Sequence, residues 1–262
     1  MNIVGLCVSY QYMDTLQFML PVNHVHFRCI YIVTQEDDTS TIEFCKQFNN
    51  VKVVFFNFKN NNKTFDKYGG LNVIQTIAYK EHPECWYLNI DSDIILPTNF
   101  KTLLLSVNLH RNCIYGCLRI NCIKSSDMHN LDLNVSTYPF NNIIYLQDRP
   151  PCVIGYFQLY KQKIFHRANL TNASEGDLCF GHDNFNYFSN LNMMCIHLGE
   201  SCKNWNGKTI NFNIDDPSIN ASNFSFSCDI NPIYYNKQKK IINPSQMIDD
   251  VKMVYNNKKN TH

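Results

Sequence analysis

The most informative stretch of this chain is Trp86-Tyr87-Leu88-Asn89-Ile90-Asp91-Ser92-Asp93-Ile94-Ile95-Leu96. The residues up to Ile90 have the composition of a buried strand, and an apolar run resumes directly after the second aspartate. Two carboxylates at the end of an apolar strand are costly to bury unless a positive group compensates them. Mg²⁺ or Mn²⁺ is the expected compensating ion, because these cations prefer carboxylate oxygens and complete their shells with phosphate oxygens. The alternative is that Asp91 and Asp93 cap a surface turn.

Strand-like and helix-like segments alternate on the N-terminal side of this stretch. Strands are predicted over residues 3–9, 27–33, 51–58 and 86–90, and helices within residues 10–20, 40–48 and 71–80. This rhythm predicts an α/β fold with a mixed, mainly parallel sheet that is flanked by helices on both faces. In such sheets ligands bind beyond the carboxyl ends of the strands, which is where Asp91 and Asp93 fall.

The pattern changes on the C-terminal side of the stretch. Strands are predicted over residues 113–120, 143–146, 152–160 and 193–197, with a polar loop or lid over 124–142 and a short helix around 185–191. A further short helix can begin at Ser245. We expect residues 1–210 to form one domain and residues 211–262 to be a C-terminal extension of unknown role.

Charge and cysteine usage argue against several classes of protein. The net charge of +1, with 23 Lys and Arg against 22 Asp and Glu, gives no reason to expect nucleic acid or an anionic membrane as a partner. No segment approaches the roughly 20 apolar residues of a transmembrane helix, and residues 3–8 are too short for a secretory signal. A soluble, cytoplasmic protein is therefore expected. The 12 cysteines are scattered without a Cys-X-X-Cys pair, which favours reduced thiols over disulfides or structural zinc.

Four segments, taken in chain order, resemble the GT-A glycosyltransferases, in particular the small single-domain enzymes of bacteria, phages and large DNA viruses. The first two are Val8-Ser9-Tyr10 with Thr34, and Lys67-Tyr68-Gly69-Gly70-Leu71-Asn72. The third is Asp91-Ser92-Asp93, and the fourth comprises Gly155-Tyr156-Phe157-Gln158, Gly181-His182-Asp183-Asn184-Phe185, His197-Leu198-Gly199 and Asn204-Trp205-Asn206-Gly207. The resemblance covers residues 1–210. It implies a GT-A, Rossmann-like fold with a donor-nucleotide half over 1–100 and an acceptor half over 101–210.

The resemblance also implies the activity and the donor-binding residues. Such an enzyme moves a sugar from a nucleotide-sugar, with a UDP-sugar favoured, to a hydroxyl of a glycan or other acceptor; a viral member would act in the host cytoplasm. The implied donor-binding residues are Tyr10, Thr34, Lys67, Gly70, Asn72 and Asp91. Tyr10 would stack on the base, and an acid among residues 36–38 would accept a base N–H. The glycines before Asn72 would let the backbone approach the diphosphate at a helix N-terminus. The alternative is that they are an ordinary glycine-containing start of a helix.

Metal, base and acceptor roles follow from the same resemblance. Asp93 would bind Mn²⁺ or Mg²⁺ most directly, Asp91 would support it, and His197 would complete the shell. Asp183 takes the position of the catalytic base for a single, inverting displacement, before a short helix, although many relatives have two acids where this chain has His182 and Asp183. The implied acceptor-binding residues are Tyr156, Gln158 and Trp205.

Three other interpretations compete with a glycosyltransferase. A nucleotidyltransferase normally has a glycine-rich basic loop after the first strand, which Val8-Ser9-Tyr10-Gln11 lacks. A haloacid-dehalogenase-type phosphatase needs its nucleophilic Asp-X-Asp near the start of the chain. The third is a non-catalytic sugar-binding or partner-binding protein on a degenerate GT-A scaffold, against which the presence of Asp91, Asp93, Asp183 and His197 argues.

Overall fold

The computed structural model describes residues 1–59, 65–122, 155–166, 173–185, 187–199, 204, 207–209 and 212. The predicted strand over 143–146, the predicted lid over 124–142, the predicted helix from Ser245 and Trp205 lie outside the described residues. Of the extension that the sequence predicts from residue 211, Phe212 is described, and its side chain is buried in the core.

The described residues contain eight strands and five α-helices, and they include every element predicted for residues 1–100. The strands are β1 Ile3–Val8, β2 Cys29–Thr34, β3 Val51–Phe55, β4 Trp86–Ile90, β5 Ile94–Ile95, β6 Cys113–Cys122, β7 Phe157–Tyr160 and β8 Tyr187–Leu198. The helices are α1 Met13–Asn23, α2 Thr39–Cys45, α3 Lys67–Glu81, α4 Phe100–Leu105 and α5 Ala173–Asn184. A short 3₁₀ turn, His24–His26, follows α1.

All of these strands belong to one sheet, in the order β3-β2-β1-β4-β7-β6-β8-β5. The strands β3, β2, β1 and β4 are mutually parallel, and so are β6 and β8. The strand β7 is antiparallel to both of its neighbours, β4 and β6, and β5 is antiparallel to β8. The mixed, mainly parallel sheet is therefore confirmed, and strands from both predicted halves share it.

The buried apolar residues form two clusters, one on each face of the sheet. Side chains alternate along a strand, so Ile3 and Cys7 of β1 belong to the cluster with α1, α2 and α4, whereas Val4 and Leu6 belong to the cluster with α3 and α5. The prediction of helices on both faces is confirmed.

The strand order reverses between β1 and β4. The chain runs outward from β1 to β2 and β3 by way of α1 and α2, and α3 then returns it across the opposite face to β4. The carboxyl ends of β1 and β4 therefore lie side by side at a topological switch point, where ligands bind in open α/β sheets. Ser9 follows β1 at this edge, and Asp91 follows β4.

The predicted helix around residues 185–191 is wrong. Residues 187–191 are the start of β8, whose Tyr187 and Phe188 pair in parallel register with Cys113 and Ile114 of β6. Pairing with a distant strand decides the conformation of this short apolar run. The helix lies earlier, as α5, and its apolar periodicity is weakened by Gly176 and Gly181, which are poor helix formers.

Candidate active site

The Asp91-Ser92-Asp93 turn is held by backbone hydrogen bonds from both sides. The Asp91 amide donates to the Tyr156 carbonyl at 3.2 Å, and the Leu198 amide donates to the Asp93 carbonyl at 2.8 Å. Within the turn, the Ile94 amide donates to the Asp91 carbonyl at 3.2 Å. The backbone of the turn is therefore anchored between the β7 and β8 sides of the sheet, which fixes the two carboxylates at the carboxyl end of β4.

Asp93 faces His197 near the end of β8. The Asp93 Oδ2 and His197 Nε2 atoms lie 3.5 Å apart, with 16% and 8% of the two side chains exposed. The His197 Nδ1 atom lies 3.2 Å from the Gly199 carbonyl oxygen. If Nδ1 donates there, Nε2 of a neutral ring presents a lone pair to a carboxylate, an arrangement that a proton or a metal ion stabilises. Burial raises the pKa of Asp93, but His197 together with the more distant charges of Arg119 and Lys67 opposes burial, so the net pKa is lowered.

The second carboxyl oxygen of Asp93 is available for a ligand. Asp93 Oδ1 is buried, and none of the described residues forms a hydrogen bond with it. A buried carboxylate oxygen without a partner is costly. Because the other oxygen, Oδ2, faces the His197 imidazole, Asp93 and His197 form a candidate pair of cation ligands.

Asp91 belongs to an ion-pair cluster on the α3 side, in which Lys67 is 11% and Asp91 33% exposed. The Lys67 Nζ atom lies 2.9 Å from Asp91 Oδ1 and 3.4 Å from Asp177 Oδ2. Burial by itself would lower the pKa of Lys67, but Asp177 and Asp91 raise it above the ordinary value. Burial raises the pKa of Asp91, and the Lys67 ammonium opposes this. Lys67 is thus the resident counter-charge for both carboxylates.

Asp177 is a site residue that the sequence analysis missed. Its side chain is 9% exposed, and its Oδ1 accepts a hydrogen bond from the Tyr68 hydroxyl at 3.2 Å. Burial raises its pKa, Lys67 opposes this and Asp91 adds to it, so that the pKa is about 6. In the sequence, Asp177 stands in Glu175-Gly176-Asp177, an acidic pair around a small residue, which by itself does not indicate a site.

Two glycines allow α5 to approach the site closely. A Cβ atom added to Gly155 would overlap the Asp177 carboxylate, and one added to Gly176 would overlap the Tyr68 ring. The Gln158 side chain amide then fixes the helix by donating to the Asp177 carbonyl at 2.8 Å. Close backbone approach, which only glycine permits, brings Asp177 to Lys67.

Asp183 lies elsewhere on the same helix. It is the penultimate residue of α5 and is exposed. The expectation that this acid precedes a short helix is therefore wrong, because the helix ends immediately after it. Its role as a base stays a prediction, and Asp177 is the α5 carboxylate that lies in the Lys67 cluster.

Tyr10 and Thr34 lie at the carboxyl ends of β1 and β2, on the same edge of the sheet as Asp91. The Tyr10 ring stacks on Phe58 with the centroids 5.7 Å apart, and its hydroxyl donates to Asp37 at 3.2 Å. The Thr34 hydroxyl donates to Asp38 at 3.1 Å. This aromatic and acidic surface has the chemistry of a base-binding site, as the sequence predicts for Tyr10.

Gly70 and Asn72 lie in the first turns of α3. The helix is capped by Asp66, which accepts a hydrogen bond from the Gly69 amide at 3.0 Å. A Cβ atom on Gly70 would lie 2.8 Å from the Phe58 ring, so packing against that ring also requires a small residue. Asn72 exchanges hydrogen bonds of 3.0 Å and 2.8 Å with the backbone of His166. These bonds connect α3 to the segment that contains His166. The contact of Asn72 with the nucleotide-sugar stays a prediction.

Tyr156 and Gln158, the predicted acceptor residues, are buried. The Tyr156 hydroxyl donates to the Cys117 carbonyl, and the Arg119 guanidinium lies 4.5 Å from the centre of the Tyr156 ring. The Gln158 side chain accepts from Asn89 at 3.2 Å in addition to its bond with α5. Both residues support the site from within the sheet, and their contact with an acceptor stays a prediction.

The candidate metal ligands of the protein fit a metal ion that binds together with a phosphate group. Among the described residues, no group of three or more His, Cys, Asp or Glu side chains has the spacing of a metal site. Asp93 and His197 offer two ligand atoms, while Lys67 occupies Asp91. Mg²⁺ is usually held by one or two carboxylates together with substrate phosphates, so a partial protein shell suits a metal–diphosphate complex.

Comparison of the chain with protein-family models gives no match, and comparison with curated proteins also gives none. No helix in the part of the chain that the structure describes is long and apolar enough to cross a membrane. We therefore infer function from the chemistry and the geometry of the site.

Proposed function

We propose that this chain is a metal-dependent glycosyltransferase of the GT-A type, which moves a sugar from a nucleotide-sugar to a hydroxyl of a glycan or similar acceptor. One observation carries the proposal. Asp91 and Asp93 lie at the switch point of the sheet, and they face two different partners, Lys67 and His197. Asp93 with His197 can therefore bind a metal ion, while Asp91 is paired with the charged Lys67.

The donor nucleotide would lie along the carboxyl ends of β1, β2 and β4. Tyr10 and the nearby acids offer a stacking face and hydrogen-bond acceptors for a base. Lys67 is the first residue of α3, where the helix dipole also favours an anionic group. The diphosphate would therefore lie between the start of α3 and the aspartate turn. A UDP-sugar is favoured by the resemblance alone.

Asp93 and His197 would hold the divalent ion, with Asp91 in support. The bound ion would neutralise the charge that develops on the leaving diphosphate. The Oδ1 of Asp93, which has no hydrogen-bond partner among the described residues, supports this assignment, because such an atom is stabilised by a cation.

Asp177 is the better-supported candidate for the general base. With a pKa of about 6 it is mostly ionised at neutral pH, close to the value at which a base is most effective. Lys67 and Tyr68 hold its carboxylate in place. An acceptor hydroxyl that gives its proton to Asp177 would attack the sugar directly, which inverts the configuration at the anomeric carbon.

A nucleotide screen tests the proposal. The melting temperature of the purified protein is measured with UDP-, GDP-, dTDP- and CMP-sugars in Mn²⁺, in Mg²⁺ and in EDTA. The expected result is stabilisation by one nucleotide that requires the metal and is lost in Asp93→Asn. Glu43→Gln is the matched control, because Glu43 is exposed and pairs only with Lys46 among the described residues. Equal melting temperatures under every condition would favour a non-catalytic scaffold instead.

A further inference from the structure

Tyr68 and Lys67 each engage a different oxygen of Asp177. The Tyr68 hydroxyl donates to Oδ1 at 3.2 Å, and the Lys67 ammonium lies 3.4 Å from Oδ2. Both side chains leave the first turn of α3, and Tyr68 is 2% exposed. Two side chains at the N-terminal end of α3 therefore fix the orientation of the Asp177 carboxylate.

The ring of Tyr68 is itself held in place. It stacks on the His166 ring with the centroids 4.9 Å apart, and His166 stacks on Phe180 of α5 at 4.0 Å. On the α5 side, the Tyr68 ring occupies the space that a side chain at Gly176 would need. These contacts leave the ring little freedom to rotate away from Asp177.

His166 is fixed by two further elements. Its backbone exchanges hydrogen bonds with Asn72 of α3, and its Nε2 lies 3.2 Å from the Asn89 side chain amide of β4. Burial, and to a lesser degree Lys67, lowers the pKa of His166 well below its usual value, so the ring is neutral. A neutral, anchored imidazole thus forms the platform beneath Tyr68.

We infer that Tyr68 is a positioning residue of this site: its hydroxyl orients the Asp177 carboxylate, and the His166 ring orients Tyr68. The inference rests on the proposed function, in which Asp177 receives the proton of the acceptor. The ionisable groups that face Asp177 are Lys67 and Tyr68 from α3 and Asp91 from the end of β4. From the β7 side, Gly155 and Gln158 face it without charge.

The variant Tyr68→Phe tests the contact, because it keeps the stacked ring and removes only the hydroxyl. Loss of a hydrogen bond to a carboxylate raises its pKa, here by about one pH unit. The acid limb of the kcat profile should therefore move to higher pH by about the same amount. At neutral pH kcat should fall about twofold from the smaller ionised fraction, and further from the lost orientation of the carboxylate, with an unchanged KM for the donor.

Tyr79→Phe is the matched control. Its hydroxyl is also buried, and it donates to the Ile164 carbonyl at 2.6 Å and contacts the Tyr160 hydroxyl at 3.0 Å, but not Asp177. This variant should lose stability and keep the wild-type pH profile. A shift of the profile in Tyr79→Phe as large as that in Tyr68→Phe would overturn the inference, because the effect would then be a general one of lost buried hydroxyls.

A carboxyl ¹³C NMR titration of Asp177, assigned with Asp177→Asn, separates this inference from the proposed function. A higher Asp177 pKa in Tyr68→Phe than in the wild type supports the positioning role, and an equal pKa contradicts it. If the pKa rises while the wild-type protein releases no nucleotide from any sugar donor, the contact stands and the glycosyltransferase proposal fails.

Discussion

The surroundings of Asp177 have opposite effects on the pKa of its carboxyl group. Burial and the nearby Asp91 disfavour its charge, and Lys67 with Tyr68 favours it. The balance leaves a group that is ionised at neutral pH yet basic enough to accept a proton. Asp183 on the same helix is exposed.

The two candidate bases can be separated by matched substitutions. Asp177→Asn should lower kcat by about 100-fold or more, since general-base catalysis contributes 10²–10⁴-fold. Asp183→Asn should retain most of the wild-type kcat, because the side chain is exposed at the end of α5. Steady-state turnover with a saturating donor measures both. The reverse ranking would restore Asp183 as the base.

The raised pKa of Asp177 also predicts how stability changes with pH. The pKa is about 6 in the folded protein against an ordinary value of 3.8, so the folded chain binds this proton more tightly than the unfolded chain. The carboxyl therefore contributes stability that is fully present below about pH 3.8 and is lost as the pH rises through about 6.

Thermal melts of the wild type and Asp177→Asn, recorded in one buffer series, measure this contribution. The melting temperature of the wild type relative to Asp177→Asn should fall between about pH 4 and pH 6 and then remain level. A difference that increased with pH would mean that the charged form is favoured by the fold, contrary to the burial of Asp177.

At the scale of single residues, the resemblance to GT-A enzymes predicts that Asp93, after β4, and His197, near the end of β8, lie close together. The distance of 3.5 Å between Asp93 and His197 agrees with their predicted proximity. Asp177 could not be predicted, since nothing local to α5 shows that the helix packs against the start of α3. Its partners lie more than a hundred residues away in the chain.

At the scale of the elements, α5 approaches α3 closely at Gly176, where the Tyr68 ring fills the space that a side chain would need. This contact makes the site sensitive to small substitutions. A Cβ atom at Gly155 would overlap the Asp177 carboxylate, which is held from the other side by Tyr68 and Lys67. A methyl group there must displace either the carboxylate or the backbone.

Gly155→Ala should therefore lower the free energy of unfolding by about 1–3 kcal/mol, the usual cost of overpacking. It should also reduce kcat, because Asp177 moves. Urea denaturation and turnover assays measure these effects. Gly5→Ala is the control, since its added Cβ would lie 3.2 Å from the Ile30 and Phe27 side chains and would not meet Asp177. A wild-type kcat in Gly155→Ala would contradict the close approach of Asp177.

Element prediction succeeded where the apolar pattern was regular. The strand β4 has the predicted bounds, Trp86–Ile90, and α3 contains the predicted segment 71–80 and extends further in both directions. It failed for α5, where Gly176 and Gly181 interrupt the pattern, and for the start of β8. In β8 the conformation depends on pairing with β6, a contact that no short window of sequence contains.

At the scale of the whole molecule, the sheet brings strands from distant parts of the chain to one edge. Alternation of strands and helices predicted the parallel part, because a crossover helix dictates parallel pairing. The position of β7 between β4 and β6 could not be predicted, since it depends on pairing across the sheet. That strand supplies Gln158 beneath the site and follows Gly155, so part of the site depends on the least predictable feature of the topology.

Metal removal should affect activity without affecting the fold. Asp93 and Asp91 already have His197 and Lys67 as partners in the protein alone. EDTA should therefore abolish nucleotide release and leave the melting temperature of the nucleotide-free protein nearly unchanged, as measured by turnover and differential scanning fluorimetry. A large loss of melting temperature in EDTA would indicate a structural metal instead.

In the proposed function, Asp93 holds a metal ion that activates a nucleotide-sugar. Release of UDP from UDP-sugars in Mn²⁺ by the wild type, Asp93→Asn and the Glu43→Gln control tests it most directly. We predict turnover by the wild type and the control, and a loss of about 100-fold or more in Asp93→Asn, since metal stabilisation of the transition state is worth several kcal/mol. Wild-type turnover by a correctly folded Asp93→Asn would contradict the claim.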